Sequence, residues 1–202
     1  MMRRPSSEAK REHLLDIAAE RFLARGFAAV SIDELVATAG QSKTNVYSWF
    51  GGKEGLFLAA VDRLLEALLI PLVDNDFAKL PLGDGVHALA ETVLDIALRS
   101  DALALHRLIV SEAPSFPHIA RAWMNAGPER TYALCADFIL AHQKAGRLRK
   151  TDAGLTAMFF VEMLIGDLER RMLIGERIKL ARAERRTLVK AVADLFVHSY
   201  AA

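Results

Sequence analysis

The sequence predicts an all-α fold, and three observations carry that reading. Glycine and proline are few, 12 and 6 among 202 residues. No stretch of useful length alternates apolar and polar residues as a half-buried strand does. Hydrophobic residues make up 52% of the chain, enough for a substantial core, and they recur at helical spacing.

Residues 1–7 carry Arg3 and Arg4 and no acid, and read as a flexible basic arm. A first helix covers Ser7 to Arg25, with Leu14, Ala18 and Phe22 on its inner stripe and Leu15 and Ala19 beside them. Gly26 ends it, and Phe27 packs back on a small core. Ser31 N-caps a second helix on which Ile32, Leu35, Val36 and Ala39 share one face. Gly40 stands where a left-handed residue ends a helix at little cost. Ser42 caps a third helix, Lys43 to Phe50, which turns Val46 and Phe50 inward.

A fourth helix starts near Lys53 and runs to about Ile70, where Pro71 stops or kinks it. It is apolar on nearly every face, so it must be covered on most sides. Residues 71–84 read as an irregular connection. Further helices cover Gly85 to Arg99, Ala102 to Ala113 after an Asp101 cap, and, briefly, His118 to Asn125. The last three cover Pro128 to Ala145, Ala153 to Ile174 after an Asp152 cap, and Ala183 to Tyr200. The expected order is a three-helix unit over 1–53, a connecting helix over 53–70, and a larger bundle over 71–202. That makes about nine helices or more.

The stretch from Ser31 to Lys53 carries the chemistry. Two short helices joined by a glycine turn are the plan of a helix-turn-helix, whose second helix enters the major groove of DNA. Lys43, Thr44, Asn45, Tyr47 and Ser48 project outward from that helix. Lys43 can reach a phosphate or a guanine, Asn45 can pair with adenine, and Thr44 can offer its methyl to thymine. Tyr47 and Ser48 can bond phosphate oxygens, which sets register rather than sequence. Lys53 is a cation in the first turn of a helix, where it opposes the macrodipole but reinforces a phosphate site. Ser31, Gln41, Ser42 and Trp49 complete the DNA-facing set. The same residues also suit a solvated helix–glycine–helix corner of the kind many all-α proteins contain.

Leu14 to Phe57 resembles the N-terminal domain of TetR-family transcriptional regulators. The resemblance rests on Phe22, Arg25-Gly26-Phe27, Ser31-Ile32, Ala39-Gly40, Ser42-Lys43, Tyr47, Phe50, Lys53-Glu54 and Leu56 at fixed spacing. Gln41 stands where that family usually has an apolar residue, Trp49 where it has His or Tyr, and Gly52 where it has a capping Ser or Pro. RLIVSEAPSFPHIARAWMNAGPER and KAGRLRKTDAGLTAMFFVEMLIGD are similar to the C-terminal domain of the AefR-like subgroup. The resemblance implies a homodimeric repressor of a near-palindromic operator, released by a small-molecule ligand bound in the larger domain.

A dimer seam is then expected on the last two helices. Phe159, Met163, Leu164 and Leu168 on one, with Leu188, Val192, Leu195 and Phe196 on the other, form heavy apolar faces. The same faces also suit the core of a single chain. A ligand pocket is expected among the helices between Lys53 and Ile174, lined by Trp123, Tyr132, Phe138, Met158 and Phe159. His87, His106, Glu112 and Glu162 would supply its polar contacts. Core packing or a solvated surface explains each of these residues taken singly.

Net charge is +1, so distribution matters more than total. Residues 40–53 carry Lys43 and Lys53 and no acid, whereas Glu8, Glu12, Asp16, Glu20, Asp33 and Glu34 lie on the first two helices. A single cysteine, Cys135, permits no intramolecular disulfide. Glu8 and Glu12 fall where a signal peptide needs an apolar run, and Glu162 and Gly166 interrupt the longest candidate span. The expectation is a soluble cytoplasmic protein without a membrane segment. The histidines lack metal-ligand spacing, Gly51-Gly52-Lys53 lacks the rest of a phosphate loop, and no GxSxG occurs. No catalytic residue, metal or cofactor is expected. A helical adaptor for proteins, and a small-molecule-binding protein or enzyme without DNA binding, remain alternatives. Steep salt dependence would mark the DNA binder.

Overall fold

A computed structural model describes residues 6–202. Arg3 and Arg4 of the expected basic arm lie outside the described residues. In chain order the helices are α1 Ser7–Ala29, α2 Ile32–Ala39, α3 Lys43–Phe50, α4 Lys53–Val73, α5 Leu82–Ala97, α6 Ser100–Glu112, α7 Pro117–Ala126, α8 Pro128–Lys144, α9 Ala153–Leu173 and α10 Arg182–Tyr200. One 3-10 turn, Phe77–Lys79, lies between α4 and α5. No β-strand occurs among the described residues. The all-α class is therefore correct, and most helix ends fall within two residues of the expected ones.

The differences have local causes. Helix α4 runs through Pro71 to Val73. A proline so near the C-terminus removes one ladder bond, and Asp74 N–H still reaches the Ile70 carbonyl at 2.9 Å. Helix α5 begins three residues early because Pro81 is extended and its carbonyl accepts from Gly85 N–H at 2.8 Å. Asp101 lies inside the first turn of α6 rather than capping it, and its carboxylate is paired with Arg99 at 2.7 Å.

The chain forms two compact units that are not consecutive in sequence. Residues up to Ala67 join Ala104–Met124 in the first; Leu68–Leu103 and Asn125–Ala202 make the second. In the first unit, Phe22, Phe27 and Phe57 meet with ring centroids 4.9 to 5.9 Å apart. Buried Leu14, Leu15, Ala18, Leu35, Val36, Val46 and Leu56 belong to the same small core. Arg63 of α4 pairs with Glu12 and Asp16 of α1, which fixes the two helices side by side.

The second unit buries Phe77, Val86, Leu89, Val93, Phe138, Ile139, Ala157, Phe160, Val189 and Phe196. Arg185 of α10 pairs with Glu91 and Asp95 of α5, at 2.8 and 2.7 Å. Past α10, Arg149 N–H donates to Tyr200 O at 2.8 Å and Ala202 N–H to Arg147 O at 3.2 Å, so the end of the chain pairs with the segment after α8.

Two buried groups in α8 give testable consequences. Cys135 is fully buried, and burial pushes its thiol up to about 12. It is expected to resist alkylation at neutral pH until the protein unfolds; rapid labelling of the native chain, read by mass spectrometry, would contradict this. His142 is also fully buried, stacked on Phe138 at 4.4 Å, with neither ring nitrogen hydrogen-bonded. Burial, and then Arg147, hold its pKa below the ordinary value. The unfolded chain therefore binds a proton that the folded one refuses, so stability falls as pH drops below about 6.5. The steepest slope from this group is about 1.4 kcal/mol per pH unit. Urea unfolding from pH 7 to 5 should show it, and His142→Leu should flatten it. Equal slopes for both proteins would exclude His142 as the cause.

Candidate nucleic-acid interface

Helices α2 and α3 are eight residues each, and their ends are fully managed. Ser31 Oγ accepts from Glu34 N–H at 3.2 Å, and Ser42 Oγ accepts from Asn45 N–H at 3.2 Å. Each hydroxyl thereby satisfies a backbone donor that the first turn leaves free. Its own proton stays available for a phosphate oxygen. Gly40 adopts the left-handed conformation, φ 61 and ψ 37, and its N–H returns to Val36 O. A side chain there would be strained, which is why the turn between the helices carries glycine. Gly51 ends α3 in the same way, donating to Tyr47 O at 3.0 Å.

Val46 is the only fully buried residue of α3. Phe50 is half-buried, with the Arg11 guanidinium 5.1 Å above its ring. The remaining positions form an outward strip. Lys43, Thr44, Tyr47 and Ser48 are exposed, Tyr47 to 59%. A tyrosine so exposed on a short helix leaves most of its ring and its hydroxyl free for a partner. Asn45 and Trp49 are half-buried. The Asn45 amide donates to Gln41 Oε1 at 3.0 Å, and Gln41 itself reaches back to Ala39 O. This holds the Asn45 side chain near the start of α3 while leaving its second N–H and its oxygen unused. Trp49 packs edge-on to Phe50 at 6.3 Å.

The two lysines are held differently. Lys43 Nζ lies 2.6 Å from Asp33 Oδ1, and hydrogen bonding to that carboxylate raises its pKa. Sequence reasoning misses Asp33 as part of this surface; an acid near the start of α2 reads from sequence as a helix-dipole partner, not as a neighbour across the turn. Lys53 lies 4.4 Å over the Phe27 ring and reaches Ala28 O at 3.4 Å. Partial burial lowers its pKa, and the charge of Glu112 acts against that. The side chain is thus tied to the core of the first unit beside the N-terminus of α4.

The nine expected pocket residues divide between the units. His106, Glu112 and Trp123 lie in the first. His106 stacks on Trp123 at 4.4 Å, and Glu112 accepts from Phe27 N–H at 3.1 Å. His87, Tyr132, Phe138, Met158, Phe159 and Glu162 lie in the second. Tyr132 O–H donates to Glu162 at 2.7 Å, and burial, then that bond, raise the phenol's pKa. Phe138 is core, Met158 half-buried, and His87 half-buried in a shallow recess beside Arg186 and Lys190.

The expected dimer residues also divide. Leu164, Val192 and Phe196 belong to the core of their own chain. Leu168 and Leu188 are half-buried, while Met163 and Leu195 are exposed. Phe159 and Leu155 are exposed along with Met163 on α9. Leu155 lies outside the expected seam, although its four-residue spacing from Phe159 is the signal that could have found it. Among the described residues no helix is long and apolar enough to cross a membrane, and no group of three metal-ligating side chains gathers.

Residues 14–60 match the family described as bacterial regulatory proteins, tetR family. Residues 84–202 match the C-terminal domain of the AefR-like transcriptional repressors. The HTH-type transcriptional regulator RutR of Escherichia coli (strain K12) is 35% identical over 74 residues, which take in 36% of this chain and 35% of RutR. The chain thus spans about a third of the length of the curated relatives it matches. A TetR-family transcriptional regulator from Mesorhizobium loti MAFF303099 superposes with a TM-score of 0.86 at 24% identity, covering 98% of this chain and 100% of that one. The flavonoid-responsive regulator FrrA superposes at 0.84 with 26% identity, covering 96% and 98%. The chain belongs to the TetR family of DNA-binding transcriptional regulators, with an AefR-like C-terminal domain.

Proposed function

We propose that the chain is a homodimeric repressor that leaves a near-palindromic operator when a small molecule binds its larger domain. Residues 1–53 read the DNA, 53–70 connect, and 71–202 dimerise and hold the ligand. One observation carries the reading. Helix α3 is pinned at both ends, buries only Val46, and turns Lys43, Thr44, Tyr47 and Ser48 to solvent. Such a helix is already ordered before binding, so little conformational entropy is lost when it enters a groove.

Within this reading Thr44, Asn45 and Lys43 contact base edges, and Tyr47, Ser48, Ser31, Ser42 and Lys53 contact the phosphates. Gln41 steers Asn45, and Trp49 flanks the same surface. Lys43 exchanges Asp33 for DNA, which makes Asp33 a competitor for that lysine. The exposed apolar residues Leu155, Phe159, Met163 and Leu195 of the second unit support self-association. Two copies related by a twofold axis then match two half-sites. The responsiveness named for FrrA supports a small-molecule signal. A ligand that favours a different dimer geometry lowers DNA affinity, and DNA lowers ligand affinity by the same factor. Inside the bacterial cytoplasm no membrane attachment is needed for this.

Selection from a random duplex pool tests the proposal. An inverted repeat should be enriched, with log affinity falling linearly in log salt at a slope of roughly −0.9 per phosphate neutralised. No enrichment and no binding at low salt, after unfolding and refolding to strip ligand, would contradict it. Asn45→Ala should relax preference at one base pair, by about 1–3 kcal/mol. Tyr47→Phe removes one hydroxyl and should weaken all sequences alike, as should Lys53→Ala. Competition assays with single-base variants of the selected site read both. An unchanged preference in Asn45→Ala removes that residue from base reading.

A further inference from the structure

We propose that Glu112 is a positioning residue for DNA binding: its carboxylate closes the break in α1 and thereby fixes how the helix-turn-helix leaves that helix. The proposal rests on the DNA-binding reading above, and every group it uses lies in the first unit.

The break itself is dictated by Gly26. Its φ of 82 and ψ of 166 are far from helical, and the helix resumes for only one further turn. A non-glycine residue is strained at that φ whatever space surrounds it. The interruption deprives Phe27 N–H of a regular helical acceptor. Phe27 is buried against Phe22 and Phe57, so water does not readily replace it. Glu112 Oε1 accepts this N–H at 3.1 Å, from 85 residues away in sequence. A buried backbone donor must be satisfied, and here an ionisable side chain does it.

Glu112 is itself firmly held. It ends α6, and its carbonyl accepts from Ser115 N–H at 3.0 Å and Phe116 N–H at 2.9 Å. The Phe116 ring then packs edge-on to Phe27 at 4.9 Å. Two residues further on, His118 pairs with Glu54 in the first turn of α4. One residue therefore joins the turn after α6, through its backbone, to the break in α1, through its side chain. The same carboxylate favours the ammonium of Lys53, which lies over the Phe27 ring.

Beyond the break the chain enters the helix-turn-helix. Arg25 donates to Ala29 O at 3.1 Å and to Glu34 of α2, so the short segment from Gly26 to Ser31 sets the angle at which α2 starts. Releasing Phe27 N–H frees that segment. Helix α3 then loses a fixed place in the groove without losing any DNA contact of its own.

Three variants test this. Glu112→Gln keeps an oxygen acceptor; Glu112→Ala removes it; Glu112→Asp withdraws it by one methylene. Amide exchange of Phe27, referenced to Phe160 in the second unit, reports the closure, and titration of the selected duplex reports binding. Glu112→Ala and Glu112→Asp should each speed Phe27 exchange relative to Phe160 and weaken DNA binding, by about tenfold for the alanine. Glu112→Gln should stay within about threefold of wild type in both. Thermal melting separates a merely structural role, in which exchange at Phe27 and Phe160 rises together. Unchanged Phe27 exchange in both Glu112→Ala and Glu112→Asp overturns the closure. Faster exchange with unchanged affinity overturns the role in DNA binding, as does equal loss in Glu112→Gln and Glu112→Ala. Wild-type protein that binds no duplex overturns the DNA-binding reading instead, while the exchange result still decides whether Glu112 closes the break.

Discussion

Everything the helix-turn-helix does depends on satisfying the ends of two very short helices. Eight residues are two turns, too few for an isolated helix to persist in water. Helices α2 and α3 persist because hydroxyls of Ser31 and Ser42 take up first-turn amides and glycines close their ends. Leu35, Val36 and Val46 are buried in the same compact unit as the three phenylalanines. With the ends closed by caps and glycines, Thr44, Tyr47 and Ser48 stay exposed, while Lys43 rests on Asp33 and Asn45 on Gln41. That exposure makes the strip available to a phosphate or a base edge.

The same rule explains what is legible in the sequence and what is not. Caps and left-handed glycines are local, so Ser31, Gly40 and Ser42 announce themselves within a few residues. Helical periodicity is local too, which is why the all-α class can be read. Long-range partners are not. Glu112 reads from sequence as a polar group for a pocket, because nothing in SEAP points to an amide 85 residues upstream. Asp33 likewise gives no sign that it will meet Lys43. On α9 two apolar stripes run side by side, one through Phe160 and Leu164, the other through Leu155, Phe159 and Met163. Periodicity marks both and cannot say which is covered by the chain's own helices. For that reason Leu164, Val192 and Phe196 read from sequence as seam residues, whereas they belong to the core.

Organisation by contact also differs from organisation along the chain. Most of α6 and most of α7 belong to the compact unit that holds the helix-turn-helix. Part of the larger domain's sequence therefore packs where the DNA is read. In the second unit, ion pairs from Arg185 to α5 and the backbone pairing after α8 close the bundle on itself. Its exposed stripe on α9 and α10 is left unpartnered in the single chain. A regulator that reads a twofold-symmetric site has a use for such a stripe.

Hydroxyl-radical footprinting of the protein on its selected duplex decides whether two copies of α3 read one symmetric site. Two protected patches related by a dyad, centred about 10 bp apart or a multiple of that, are expected on one face of the helix. A single protected patch, or protection without symmetry at saturating protein, would contradict that reading.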